Sequence, residues 1–337
     1  DKTLEAGFDA KIGISSALNL DVTVNPDFSQ VEVDEQVTNL DRFEIFFPEQ
    51  RQFFLENADL FGDFGVEGTR PFFSRRIGVA RDESTGQNIQ NSIYGGFRLS
   101  GKIDNNWRIG FMDIQAGEDE KINLPSTNFM VASVQRKIFT RSNIGIIAIN
   151  KQAFQDSITG DFTTNPMKYN RLIGVDYNLA SKNNVWNGKA FYHRSFDQNG
   201  LDSTFATGGF INYSTLKWSV NLFTRSVGAN YNPEVGFARR KDIQQVAYTH
   251  WYNMYPKKSG IQSHGPGIDF DIIGNEVYGL LDWDANLMYR ARYRNTATWN
   301  IRLRKEYTYL FDSFDPSGTN GEKLPAGTSY HQYLVVF

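Results

Sequence analysis

From Leu4 the even positions are apolar (Leu4, Ala6, Phe8, Ala10, Ile12, Ile14), while the odd ones are polar or small (Glu5, Gly7, Asp9, Lys11, Gly13). A period of two is the repeat of a strand, whose successive side chains point to opposite faces, and it does not fit the 3.6-residue repeat of a helix. After Ser15-Ser16-Ala17 the alternation resumes, with Leu18, Leu20, Val22 and Val24 against Asn19, Asp21, Thr23 and Asn25. The two runs predict a hairpin with a very short turn. The theme returns at 93–103, 173–179 and 218–225. It is clearest from Val277 to Tyr293, where Gly279, Leu281, Trp283, Ala285, Leu287, Tyr289 and Ala291 alternate with Asp282, Asp284, Asn286, Arg290 and Arg292. Ordinary strands have about 5 to 6 residues. This run and the next, Thr298 to Tyr309, reach or exceed the roughly 9 to 11 residues that a tilted strand needs to cross a bilayer. Two runs, 129–138 and 144–151, place apolar residues on both faces.

Roughly fourteen or more such segments follow one another, joined alternately by short and longer links, which is the layout of an outer-membrane barrel. The short links include Asp104-Asn105-Asn106, Thr140-Arg141-Ser142 and Ser181-Lys182-Asn183; the longer ones run over 152–166, 196–203 and 231–242. The predicted fold is therefore all-β, an antiparallel transmembrane β-barrel, with its outward face including Leu4, Phe8, Ile12, Leu18, Val22, Phe97, Leu99, Val175, Trp218, Leu281, Trp283 and Leu287. A soluble antiparallel sandwich with one wet face also alternates. Strand length and aromatic residues near strand ends (Trp107, Tyr169, Trp186, Trp218, Tyr293, Trp299, Tyr307, Tyr309) favour the barrel, because such residues form interfacial girdles.

Residues 27–82 break the rhythm. A connection this long is normally functional, or folds inward as a plug. Three of its motifs are distinctive: Asn25-Pro26-Asp27-Phe28-Ser29-Gln30-Val31-Glu32, Phe46-Phe47-Pro48-Glu49-Gln50-Arg51-Gln52-Phe53-Phe54-Leu55-Glu56, and Phe73-Ser74-Arg75-Arg76-Ile77-Gly78. On these motifs the chain resembles a family of uncharacterised proteins, abundant in Bacteroidota, that carry a module similar to family 9 carbohydrate-binding domains ahead of an outer-membrane β-barrel. The resemblance implies that residues 1–337 are the barrel part of a longer chain, in the outer membrane of a Gram-negative bacterium, with the carbohydrate-binding-like module lying before Asp1.

The segment carries both signs of charge. Its acids Glu32, Asp34, Glu35, Asp41, Glu44 and Glu49 are expected to face lumenal arginines Arg98, Arg171, Arg225, Arg290, Arg292, Arg302 and Arg304, since a planar guanidinium can hold a carboxylate bidentately. Arg75 and Arg76 complete the expected set of plug and lumen contacts. Phenylalanines of the segment, among them Phe43, Phe46, Phe47, Phe53 and Phe54, would form a small internal core. An ordered loop packed on the periplasmic rim is the alternative.

Composition narrows the chemistry. A formal net charge of -3 argues against nucleic acid as a partner. The absence of cysteine excludes disulfides, zinc-thiolate sites and thiol catalysis. His193, His250, His264 and His331 lie on separate segments without metal-ligand spacing. Asp269/Asp271 and Asp282/Asp284 place paired carboxylates on one strand face, a spacing open to glycoside chemistry, but acids lining a wet lumen produce the same pattern. The expectation is a non-enzymatic barrel without cofactor or metal, touching outer-membrane lipid or lipopolysaccharide and, beyond these, glycans or other envelope proteins. It would serve in transport or binding, with a sealed docking subunit as the alternative and a membrane-bound glycoside hydrolase behind both.

Overall fold

The structure, a computed structural model, describes all residues except 1–5, 27–41, 44–45, 47, 82–87, 120–123, 155–167, 258 and 320. Fifteen strands form one sheet, each pairing antiparallel with its neighbours in chain order. They are β1 (Phe8–Ser15), β2 (Leu18–Val24), β3 (Ile93–Lys102), β4 (Trp107–Ala116), β5 (Ser126–Ile138), β6 (Ser142–Phe154), β7 (Tyr169–Ala180) and β8 (Trp186–Phe196). The sheet continues with β9 (Phe205–Ser214), β10 (Trp218–Val227), β11 (Ile243–Tyr252), β12 (Ile261–Asn275), β13 (Gly279–Tyr293), β14 (Thr298–Leu310) and β15 (Thr328–Val336). Helix is almost absent: α1 (Gln52–Leu55) and α2 (Asp59–Gly62) are single turns between β2 and β3, followed by a 3-10 turn at Ser74–Arg76. No helix among the described residues is long and apolar enough to cross a membrane.

Connections at one end of the sheet are short, spanning 16–17, 103–106, 139–141, 181–185, 215–217, 253–260 and 294–297. At the other end most are longer, with 276–278 the exception and 197–204 equal in length to 253–260. Trp107, Trp186, Trp218, Tyr293 and Trp299 stand exposed at the short-turn end.

Alternation decides which side chains are covered. In β7, Asn170, Leu172 and Asp176 are buried while Ile173 and Val175 are exposed. The covered face is the one on which the β2–β3 connection packs, here termed the inner face. Phe54, Leu60, Phe61, Phe64, Phe72 and Ile77 of that connection share one hydrophobic cluster with Ile93, Met112, Ile114, Phe129, Val131, Ile147, Ile149, Leu172, Phe191 and Val227 of the strands. The core is thus shared between segment and sheet, and this explains why β5 and β6 are apolar on both faces.

The sheet bends toward the segment. Glu56 pairs with Lys11 on β1, and Asp63 lies 3.4 Å from Lys189 on β8. In a flat sheet β1 and β8 would stand about 34 Å apart. The seven steps from 56 to 63, all turn and helix, cover about 11 Å, and side chains that stand roughly perpendicular to a flat sheet do not close the difference.

Of the expected outward positions, Phe8, Ile12, Phe97, Val175, Trp218 and Leu287 are exposed, and Leu18, Val22, Leu99 and Trp283 are half-buried. Leu4 lies outside the described residues. Leu281 corrects the expectation, being only 2% exposed and part of the shared core. The cause is a β-bulge: the register passes from Ile273↔Asp282 to Gly274↔Leu280, so Leu281 has no opposite residue and turns inward.

Candidate functional site on the inner face

The segment is held by three polar clasps. On β3 Arg98, 1% exposed, donates to Asp21 on β2 at 2.8 Å and to the carbonyl of Phe53. On β7 Asp176 accepts the Gly65 amide at 2.7 Å through one carboxylate oxygen, and contacts His193 Nε2 at 2.7 Å through the other. Lys189 stands 3.6 Å from the same carboxylate. Gly65 has φ +74°, and a Cβ there would meet the Thr69 carbonyl at 2.2 Å, so close approach and backbone conformation both demand glycine. On β10 Arg225 donates to the Glu67 carbonyl and to Thr69 Oγ1, each at 3.1 Å. Asp59 of α2 adds an ion pair to Arg108 on β4. Tyr231, from the connection after β10, is fully buried, and burial together with the Asp176 charge pushes its hydroxyl pKa up.

Inside the segment, Arg51 grips Glu49 with two guanidinium nitrogens at 2.8 and 2.7 Å and also donates to the carbonyls of Ser74 and Ile77. Burial raises the Glu49 pKa, but the hydrogen bonds and charge of Arg51, with the Ser74 hydroxyl, outweigh it and hold the carboxyl below its ordinary value of 4.5.

The expected contacts sort unevenly. Glu32, Asp34, Glu35, Asp41 and Glu44 lie outside the described residues. Glu49 pairs with Arg51 of its own segment, not with a strand arginine. Arg75 donates to the Pro48 carbonyl and Arg76 to that of Gly236. Arg98 and Arg225 do hold the segment, through the Phe53 and Glu67 carbonyls and the Thr69 hydroxyl and not through the expected segment acids. Arg171 does not: it shares the parity of exposed Ile173 and Val175, donates to Asn150 and lies over the Tyr169 ring. Arg290 is exposed, stacking on Trp251 and donating to Asn253, and Arg292 and Arg302 are exposed too. Arg304 faces Asp284 at 3.6 Å and Glu306 at 2.5 Å. Charge pairing between segment and sheet therefore exists, but through Arg42, Glu56, Asp59 and Asp63, none of which is among the expected contacts. His193, read as isolated, is the buried partner of Asp176. Its strand spacing gave no hint, because the pairing depends on the β7–β8 register, Gly174↔His193.

Both carboxylate pairs meet on the inner face of β12 and β13, where Asp271 stands opposite Asp284 and Asp269 opposite Asn286. Asn286 donates to Asp269 and to Asp284, and Gln245 donates to both oxygens of Asp271. Asp282 accepts Arg42 from the segment and Arg240 from the loop, at 3.0 and 2.7 Å. These carboxylates are bound to amides and guanidinium groups.

Fold and inner face together define an all-β protein in which an antiparallel meander carries one of its own connections clasped against its concave side. The chain belongs to the family described as a domain of unknown function, DUF5916, whose model matches residues 1–336. No curated protein and no solved structure matches it.

Proposed function

We propose that this chain is a transmembrane β-barrel of the outer membrane of a Gram-negative bacterium, non-enzymatic, with residues 42–78 as a fixed plug. The observation that carries the reading is the outer face: Ile12, Ile146, Ile173, Leu287 and Leu303 are exposed, on a sheet whose short-turn end carries exposed Trp107, Trp186, Trp218 and Trp299. Water does not favour such a surface, whereas lipid between two aromatic girdles does. The plug covers the β3–β10 side and leaves the Asp269, Asp284, Asn286 and Arg304 wall of β12–β14 as a polar path or binding surface. Hydroxylated solutes of the glycan class suit it, and a cavity of about 320 Å³ in the loops, lined by Asn199, Thr204, Asn230 and Asn232, supports the same class.

A second reading, a sealed subunit that docks other envelope proteins, draws support from the plug itself, since Leu60 and Ile77 are fully buried, as in a rigid core. Planar-bilayer recordings of the intact protein and of a variant with 42–78 replaced by a short glycine-serine linker separate the two. Conductance in the intact protein supports the path; conductance only in the variant supports the seal. Silence from both, with the protein absent from floated vesicles, would sink the barrel reading.

A further inference from the structure

On the outer face of β12–β15 the register sets side chains in rows. Phe270, Ala285, Lys305 and Tyr333 stand abreast. The row toward the short-turn end is Ile268, Leu287, Leu303 and Val335; the row toward the long-loop end is Ile272, Trp283, Tyr307 and His331. Because Ala285 is small between Phe270 and Lys305, a hollow opens there, and with the apolar row beside it the hollow becomes a groove of about 560 Å³.

Lys305 is the exception on this face. It is exposed, its ammonium lies 5.6 Å from the Trp283 ring centroid and 5.3 Å from that of Tyr333, and no carboxylate among the described residues is in ion-pair range. The adjacent Glu306 belongs to the opposite parity and pairs with Arg304. A cation on a lipid-facing strand position is unfavourable near the midplane and becomes tolerable toward the aromatic girdle, where a long stem can carry the charge to the interface. An unpaired charge in that setting marks a binding function by default.

We propose that this groove is a lipid site: it takes one acyl chain of a phosphate-bearing lipid along Ile268, Leu287 and Leu303, while Lys305 holds the phosphate. This assignment rests on the membrane reading above. The chemistry is matched at both ends, since Ile268, Leu287 and Leu303 offer apolar contact along the floor and the rim offers the Lys305 ammonium above the Tyr333 ring, a donor to phosphate oxygens.

The test uses protein extracted from vesicles of mixed phosphatidylglycerol, phosphatidylcholine and oleic acid, with retained lipid read by native mass spectrometry. The intact protein should retain one phosphatidylglycerol. Lys305→Gln should lower that retention about tenfold, the loss of one charge-assisted contact. Lys305→Arg should keep it, and Ala285→Phe, which fills the hollow and leaves the charge in place, should abolish it. Arg136→Gln removes a cation that lies over Trp107 at the short-turn end and should change nothing. Equal retention by the parent, Lys305→Gln and Ala285→Phe would overturn the site, and preferential retention of free fatty acid would overturn the phosphate assignment. Vesicle flotation keeps the two readings apart: protein that floats but retains no lipid refutes only the groove, whereas protein that fails to float refutes the barrel.

Discussion

The inner face changes character halfway round the sheet. Across β4–β7 its positions are Met112, Ile114, Phe129, Val131, Ile147, Ile149 and Leu172, all buried against the segment. Across β12–β14 the equivalent positions are Asp269, Asp271, Asp284, Asn286, Arg302 and Arg304. The strands share antiparallel pairing and a mainly apolar outer face. What differs is the material each inner surface meets, so the polarity of an inward position reports whether protein covers it.

Four substitutions or titrations can break this contrast. The largest effect belongs to Asp21→Ala, which strands the buried Arg98 guanidinium without its carboxylate and should destabilise by about 3–5 kcal/mol in urea unfolding of the detergent-folded protein. An unchanged midpoint would mean that Arg98 is hydrated, and the packed side is then not packed. Leu60→Ala follows, at about 2–5 kcal/mol by the same measurement, because the cavity opens in a fully buried cluster.

Acid comes third. Glu49 has a lowered pKa in the folded state, so its contribution to stability is complete above about 4.5 and is lost as pH falls through the lowered value. Melting temperature against pH should drop on that acid limb, and Glu49→Gln should flatten the drop. The smallest effect is expected on the polar side, where Asp284→Asn disturbs a pair whose arginine is one-third exposed and should cost less than about 1 kcal/mol. A larger loss there would show that the β12–β14 wall is as enclosed as the other side.

Much of this contrast was legible before the fold. Alternation located the strands and the exposed faces of Ile12, Phe97, Val175 and Leu287. The two-sided apolar runs at 129–138 and 144–151 already marked where the segment packs, though they read at first as blurred alternation. Arg171 was open to the same parity count, since it keeps step with Ile173 and Val175. Leu281 was not, because a bulge inserts one residue and nothing in the local sequence announces it. The Asp176–Gly65 clasp was equally hidden: it joins residues far apart in sequence through a backbone amide, which carries no residue-type signal.

The position of the segment in the chain bears on the order of folding. Most ladders of the sheet join strands separated by a short or moderate connection, but β2 meets β3, Leu18 against Gly101, only after the chain has passed through 25–92. Closing that loop in place of a four-residue turn adds roughly four doublings of length, about 2.5 kcal/mol of chain entropy. Ladders with local closure form sooner, so pulse-labelled hydrogen exchange should protect Ile147 and Val175 before Asp21 and Arg98, whose amides face each other across the β2–β3 ladder. The β1–β2 hairpin then joins last, after the residues that fill the inner face have settled against β4–β8, and the sheet acquires its first two strands at the end of folding.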